Sequence, residues 1–174
     1  MAAKIKWDEI RRLFPATGKF AYLNAAGGSP ISTIAANEGK RFYDEILERG
    51  DLYWDEWMKR VADTREKLAH FINADNSELT FTLSTSHGMN LIADMLRGRG
   101  DIVTMKDEFP SSTPPWLHRK CNVTFVEPEN YGYSIETIAR SVDGQTKIIV
   151  TSYVQYSTGF RQNLVELGNF CKSR

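Results

Sequence analysis

The chain has 174 residues, 41% of them hydrophobic and 25% charged, with 22 basic side chains against 22 acidic ones. That is enough chain to bury roughly 70% of its unfolded surface as a soluble globular domain. An even charge balance without like-signed runs argues against nucleic acid or an anionic membrane as the main partner, since both demand a basic face, and no apolar stretch approaches the roughly 20 residues of a membrane span.

The start, Met-Ala-Ala-Lys-Ile-Lys-Trp-Asp-Glu, has no apolar segment of the secretory kind. Cys121 and Cys171 stand fifty positions apart without neighbouring histidines, so neither a zinc spacing nor a disulfide framework is legible. Both cysteines read as packing residues in a reducing, cytoplasmic setting.

Along the chain, Trp7 to Phe14 predicts a short amphipathic helix ended by Pro15. An extended piece from Phe20 to Asn24 runs into Ala25-Ala26-Gly27-Gly28-Ser29-Pro30, small residues that allow close approach to the backbone. Helices are predicted over Ile31–Glu48, closed by Gly50, and over Asp55–Asn73, where Trp57, Val61, Leu68 and Phe71/Ile72 recur on one face.

From there strands and helices alternate. The predicted strands are Leu79–Leu83, Asp101–Met105, Val123–Val126 and Lys147–Thr151. The predicted helices are Ser86–Arg97, Ser111–Arg119, Ser134–Ser141 and Asn163–Lys172. Strands separated by helices imply parallel pairing, because a parallel crossover needs a dozen or more residues. The expected class is therefore α/β, a mostly parallel sheet with flanking helices over 76–174, preceded by a helical lead-in over 1–75.

Ligands of an open parallel sheet sit at the carboxyl ends of its strands. The loops Ser84–Gly88, Lys106–Ser112, Glu127–Gly132 and Ser152–Gly159 face that side, and Lys147, at the amino end of its strand, does not. The run Leu79-Thr-Phe-Thr-Leu83 empties through Ser84-Thr85-Ser86-His87-Gly88 into a helix. Unpaired first-turn N–H groups, the positive dipole end and the hydroxyls together make an anion site. The competing reading is that Ser84 or Ser86 only caps the helix; the stretch by itself leaves the two even.

Four segments in order resemble the class V aminotransferases, pyridoxal-phosphate (PLP) enzymes of fold type I that include cysteine desulfurases, kynureninase and epimerase-like proteins. They are Tyr22–Pro30, Phe81–Leu91, Glu108–Trp116 and Thr151–Arg161. The resemblance implies the N-terminal part of the cofactor-binding large domain. Thr85 and Ser86 would hold the cofactor phosphate, and Phe109 would lie on the pyridine face. Gln155 and Tyr156 compete for the place beside the ring oxygen. Asn24, Ala25 and Ala26 would stand on the substrate side, and Arg161 would meet a substrate carboxylate or else form a surface contact near the last helix.

Many desulfurases carry histidine where this chain has Phe109, which points toward the kynureninase and epimerase-like branches and removes a proton carrier. Apart from the resemblance, Phe109 reads as a core residue, His87 as an exposed first-turn side chain and Trp116 as packing.

PLP chemistry needs a Schiff-base lysine and an acid at the pyridine nitrogen. The family takes these from later strands. Lys106, Lys120, Lys147 and Lys172 stand where the pattern does not use lysine for this purpose, so no catalytic residue is assigned and the chain alone is expected to be inactive. The parent enzyme would act on an amino acid as a dimer, by transamination, desulfuration, lyase or epimerase chemistry. In that fold the strand at Leu79–Leu83 lies apart from the next three, so here it would re-pair, stay exposed or find a second polypeptide. The rival expectation is a non-catalytic α/β binding or assembly module that keeps a phosphate pocket.

Overall fold

Every residue from Ile102 to Met105 is at most 1% exposed. Such a run marks a central strand covered on both faces, where alternation of polar and apolar residues is lost. In the computed structural model, which describes residues 5–174, this strand is β1 (Asp101–Met105), flanked by β2 (Val123–Val126) and β3 (Thr146–Val150) in the order β2-β1-β3. Both pairings are parallel. Ile102 opposes Val123 on one side and Ile148 on the other, and a bulge beside Asp101 takes up Lys147. The chain divides into two units, one ending at Thr80 and the other spanning Phe81–Arg174.

In the second unit the sheet is packed on both sides. Val103 and Met105 join Val126, Tyr133, Ile138 and Leu167 in one buried cluster. Ile102 joins Ala93 and Trp116 in the other. Helices α6 (Ile135–Ala139) and α7 (Leu164–Lys172) thus cover one face, while α4 (Thr85–Met95) and α5 (Pro114–His118) cover the opposite one. This follows from handedness. The chain leaves β1 for β2 in one direction and crosses back from β2 to β3 in the other, and right-handed crossovers of opposite direction place their helices on opposite faces.

The helices are shorter than the sequence suggests where local chemistry intervenes. Helix α5 begins at Pro114-Pro115 rather than at Ser111, because prolines lack the N–H that an interior position needs and are accommodated in the first turn. Ser134 caps α6 from outside, its hydroxyl accepting from Thr137 N at 3.2 Å.

The predicted strand at Leu79–Leu83 is a correction: it forms no ladder. Leu79 keeps extended backbone angles, but none of the three strands takes it as a neighbour, and Leu83 is 94% exposed. A strand's N–H and C=O groups gain from β geometry only when a partner strand is beside them.

In the first unit, α1 (Trp7–Arg12) precedes α2 (Thr33–Arg49) and α3 (Trp54–Ile72). Gly50 caps α2 at φ +60° and Asn73 ends α3 in the left-handed region. The two long helices meet at Phe42 and Trp57, whose rings are edge-to-face with centroids 5.1 Å apart. Beside them Glu45 accepts from Trp57 Nε1 at 2.7 Å and from both Arg60 guanidinium nitrogens at 2.9 and 3.0 Å. These bonds, that to Arg60 foremost, hold the Glu45 carboxyl down at about 2. Among the described residues, no helix is long and apolar enough to cross a membrane.

Candidate functional site

The strand order reverses at β1: one connection leaves toward β2 and the next returns to β3. The helix after β1, α5, lies on one face, and the helix after β3, α7, lies on the other. The loops at the carboxyl ends of β1 and β3 must therefore part, and the crevice between them is where open α/β sheets bind ligands. Phe109 and Glu108 lie on the first loop, and Ser152, Gln155 and Tyr156 on the second.

Helix α4 packs on the second face of the sheet through Ala93. Its last turn is held at the amino ends of the strands, where Asp94 accepts from Arg119 Nε at 2.5 Å and Nη2 at 2.7 Å, just ahead of β2. The N-terminus of α4 carries Thr85 and Ser86. There Ser84 Oγ accepts from His87 N at 3.2 Å, so Ser84 is the cap. His87 is exposed and turns back, its Nδ1 accepting from Leu83 N at 3.3 Å. The cap leaves the N–H groups of Thr85 and Ser86 without a partner among the described residues, and the side chains of both are exposed. Capping and anion binding thus use different donors and are compatible.

Phe109 is not a core residue: it is 52% exposed, and its ring meets Tyr156 edge-on at 5.2 Å and 89°. The two competitors that the resemblance names for the place beside the ring oxygen are in different states. Gln155 is 2% exposed and its Nε2 donates to Glu108 Oε1 at 2.7 Å, whereas Tyr156 is 63% exposed. The amide orientation of Gln155 is set by that carboxylate neighbour, since a carboxylate accepts and cannot donate. Its own Oε1 is left buried without a partner.

The second loop is a tight hairpin. Val154 bridges Arg161, Gln155 N donates to Phe160 O at 2.9 Å, and Gly159 turns the chain at φ +72°. Arg161 is exposed on the outgoing arm and makes no ion pair among the described residues. Asn24, Ala25 and Ala26 lie in the helical unit, exposed, in a turn where Gly27 N and Gly28 N donate to Asn24 O at 3.2 and 3.1 Å. A Cβ at Gly27 would come within 2.8 Å of the exposed Asn24 side chain, which can turn aside.

Anchors without a role in the sequence reading hold the first loop. Tyr133, 1% exposed, accepts from Asp107 N at 3.2 Å and donates to Asp107 Oδ2 at 3.1 Å. Burial pushes its phenol up to about 12. Glu108, 7% exposed, accepts from Ser152 N and Ser152 Oγ at 2.6 Å each, besides Gln155. A glutamate at a strand's carboxyl end was visible in the sequence, but periodicity carries no sign of a contact 44 residues away.

Two of the lysines in this unit are paired with neighbours. Lys106 binds Glu127 at 2.6 and 2.8 Å. Lys147 lies across Gly100 at the amino edge and donates to Gly144 O at 3.1 Å. Trp116 is buried packing, at 1% exposure. Cys121 packs against the second cluster, while Cys171 is exposed. Among the described residues no three His, Cys, Asp or Glu side chains cluster as metal ligands.

A parallel sheet covered by helices on both faces defines an α/β domain. Residues 21–174 match the family model Aminotransferase class-V, and the chain belongs to that family. A probable cysteine desulfurase of Methanothermobacter thermautotrophicus is 28% identical over 94% of this chain and 44% of its own length. The crystal structure of the cysteine desulfurase CsdA from Escherichia coli superposes with a TM-score of 0.81 at 20% identity, over 98% of this chain and 47% of that one. A C-DES mutant with glycine covalently linked to its PLP cofactor gives 0.82 at 18% identity, over 94% of this chain and 46% of that one. The chain thus spans a little under half the length of these relatives, and its fold is that of the fold type I PLP-dependent enzymes.

Proposed function

We propose that this chain is the phosphate- and ring-gripping portion of a PLP-dependent class V enzyme acting on an amino acid. The reading is supported by the family match over residues 21–174 and by two features of the second unit, free first-turn amides on α4 and an exposed aromatic pair joining the β1 and β3 loops. The residues suit the group. The phosphate end needs N–H and hydroxyl donors, which Thr85 and Ser86 offer at a positive helix end. The ring end needs a flat apolar surface, which Phe109 offers with half its area uncovered.

When bound, PLP supplies an electron-withdrawing ring that spreads the charge left at the substrate Cα. The chain's own residues would bind and orient. Thr85 and Ser86 take the phosphate, and Phe109 covers one ring face. Tyr156, exposed and bearing a hydroxyl, stands nearer the role at the ring oxygen than Gln155, whose amide is committed to Glu108. Arg161 offers a bidentate fork for a substrate carboxylate. The named relatives support desulfuration; Phe109, where many desulfurases carry histidine, favours a branch without a proton carrier on the ring.

Calorimetry with pyridoxine 5′-phosphate, which lacks the lysine-reactive aldehyde, tests the reading. It should bind at least ten-fold more tightly than inorganic phosphate, and Phe109→Ala should remove that advantage while leaving phosphate binding intact. Equal affinities for the two, or indifference to Phe109→Ala, would identify a plain phosphate-binding module instead. Borohydride reduction with PLP followed by peptide mapping should give no stoichiometric adduct at a single lysine. Such an adduct would overturn the assignment of roles.

A further inference from the structure

The reversal of strand order that opens the crevice also poses a mechanical problem. The loops after β1 and β3 leave toward opposite faces, yet Phe109 on one meets Tyr156 on the other. Glu108 joins them. Its Oε1 accepts from Ser152 N at 2.6 Å and Gln155 Nε2 at 2.7 Å, and its Oε2 accepts from Ser152 Oγ at 2.6 Å. The carboxylate is 7% exposed and no cation pairs with it among the described residues. Three short donors from one loop, rather than a salt bridge, therefore compensate a nearly buried acid. Gln155 Oε1 stays buried and without a partner so that the NH2 end can face Glu108.

We infer that Glu108 is the positioning residue of the crevice: by tying the β1 and β3 loops together through Ser152 and Gln155, it holds Phe109 and Tyr156 as a preformed corner for a planar ring. The inference rests on the reading of the site given above and adds the residue that sets its geometry. Glu108 itself touches no ligand; it acts through the two rings.

The chemistry of replacement supplies the test. Glutamine at 108 can place its oxygen where Oε1 accepts and donate its NH2 to Ser152 Oγ, which can accept in turn. Methionine has a similar shape and no such acceptor, leaving Ser152 N and the Gln155 amide without a partner. Nuclear Overhauser contacts between the Phe109 and Tyr156 rings are measured in the full chain, with those between Tyr133 and Phe160 as an internal control. Glu108→Met should lose the Phe109–Tyr156 contacts and keep the control, and Glu108→Gln should keep both. Affinity for pyridoxine 5′-phosphate should fall five-fold or more in Glu108→Met, with inorganic phosphate changed less than two-fold. Where Glu108→Met does not fold, Gln155→Met should give the same selective loss of ring contact. Ring contacts intact in Glu108→Met or Gln155→Met, or Glu108→Gln behaving like Glu108→Met, would overturn the inference. A wild-type chain that fails to bind pyridoxine 5′-phosphate would instead overturn the functional reading, while the ring contacts still decide the role of Glu108.

Discussion

Gly132 is the point at which the smallest change should report on the site loops. A Cβ built there lies 2.6 and 2.7 Å from Cε2 and Cδ2 of Phe160, and 3.3 Å from Cζ. Ordinary contact would need the ring to retreat by roughly 1 Å, and it has little room to do so. Phe160 packs against the buried cluster of Val103, Met105 and Tyr133, with its centroid 6.2 Å from that of Tyr133. Gly132 does not have a positive φ, so the penalty of Gly132→Ala is steric alone. Overpacking of this kind costs about 2 kcal/mol, a factor of about 30 in the folding equilibrium. Hydrogen exchange of the β1 amides, which open only with the whole unit, should accelerate by about that factor. In a Phe160→Leu background the same substitution should cost less than about 0.5 kcal/mol, because the clashing ring is gone. Exchange of the β1 amides within two-fold of wild type in Gly132→Ala, or an undiminished cost in the Leu background, would refute the reasoning.

Ser84→Ala removes the acceptor for His87 N and should destabilise α4 by about 1 kcal/mol, whereas Ser84→Asp should restore it; denaturant titration separates the two. Glu45 has its pKa lowered to about 2, so its contribution is present above the ordinary carboxylate range and is lost as pH falls from about 5 toward 2. Helix content followed over that range should decline in wild type and be less pH-sensitive in Glu45→Gln. Tyr133 has its pKa raised to about 12 by burial, so the stability tied to its neutral form is complete below about 10 and disappears as pH climbs to 12. Absorbance titration should show one phenol ionising late, and Tyr133→Phe should abolish it. The exposed Lys106–Glu127 pair should matter little: Lys106→Ala should leave the denaturation midpoint unchanged within error.

Much of the fold is legible because it depends on local pattern. The apolar run at Asp101–Met105 reads as a buried parallel strand, and β1 occupies those residues; Val123–Val126 does the same for β2. The segment Leu79–Leu83 has equally good strand composition and is no strand, because pairing is a property of neighbours that composition does not encode. Trp116 reads correctly as packing, since its helix presents it to a wholly apolar cluster. The site divides similarly. Thr85 and Ser86 are visible as hydroxyls at a strand-to-helix turn. The commitment of Gln155 to Glu108 is not, because it joins residues 47 positions apart through side chains whose types are common on any surface. Phe109 is ambiguous for the same reason: only the direction in which its loop leaves the sheet decides whether it is core or crevice.

Whether the α4 start and the Phe109–Tyr156 corner serve one ligand is settled by titrating the isotopically labelled chain with pyridoxine 5′-phosphate. The amides of Thr85 and Ser86 and the ring signals of Phe109 and Tyr156 should shift together along a single binding curve. If the two sets saturate at different concentrations, or only the amides respond, anion and ring do not share a site, and the assignment of this crevice to PLP is wrong.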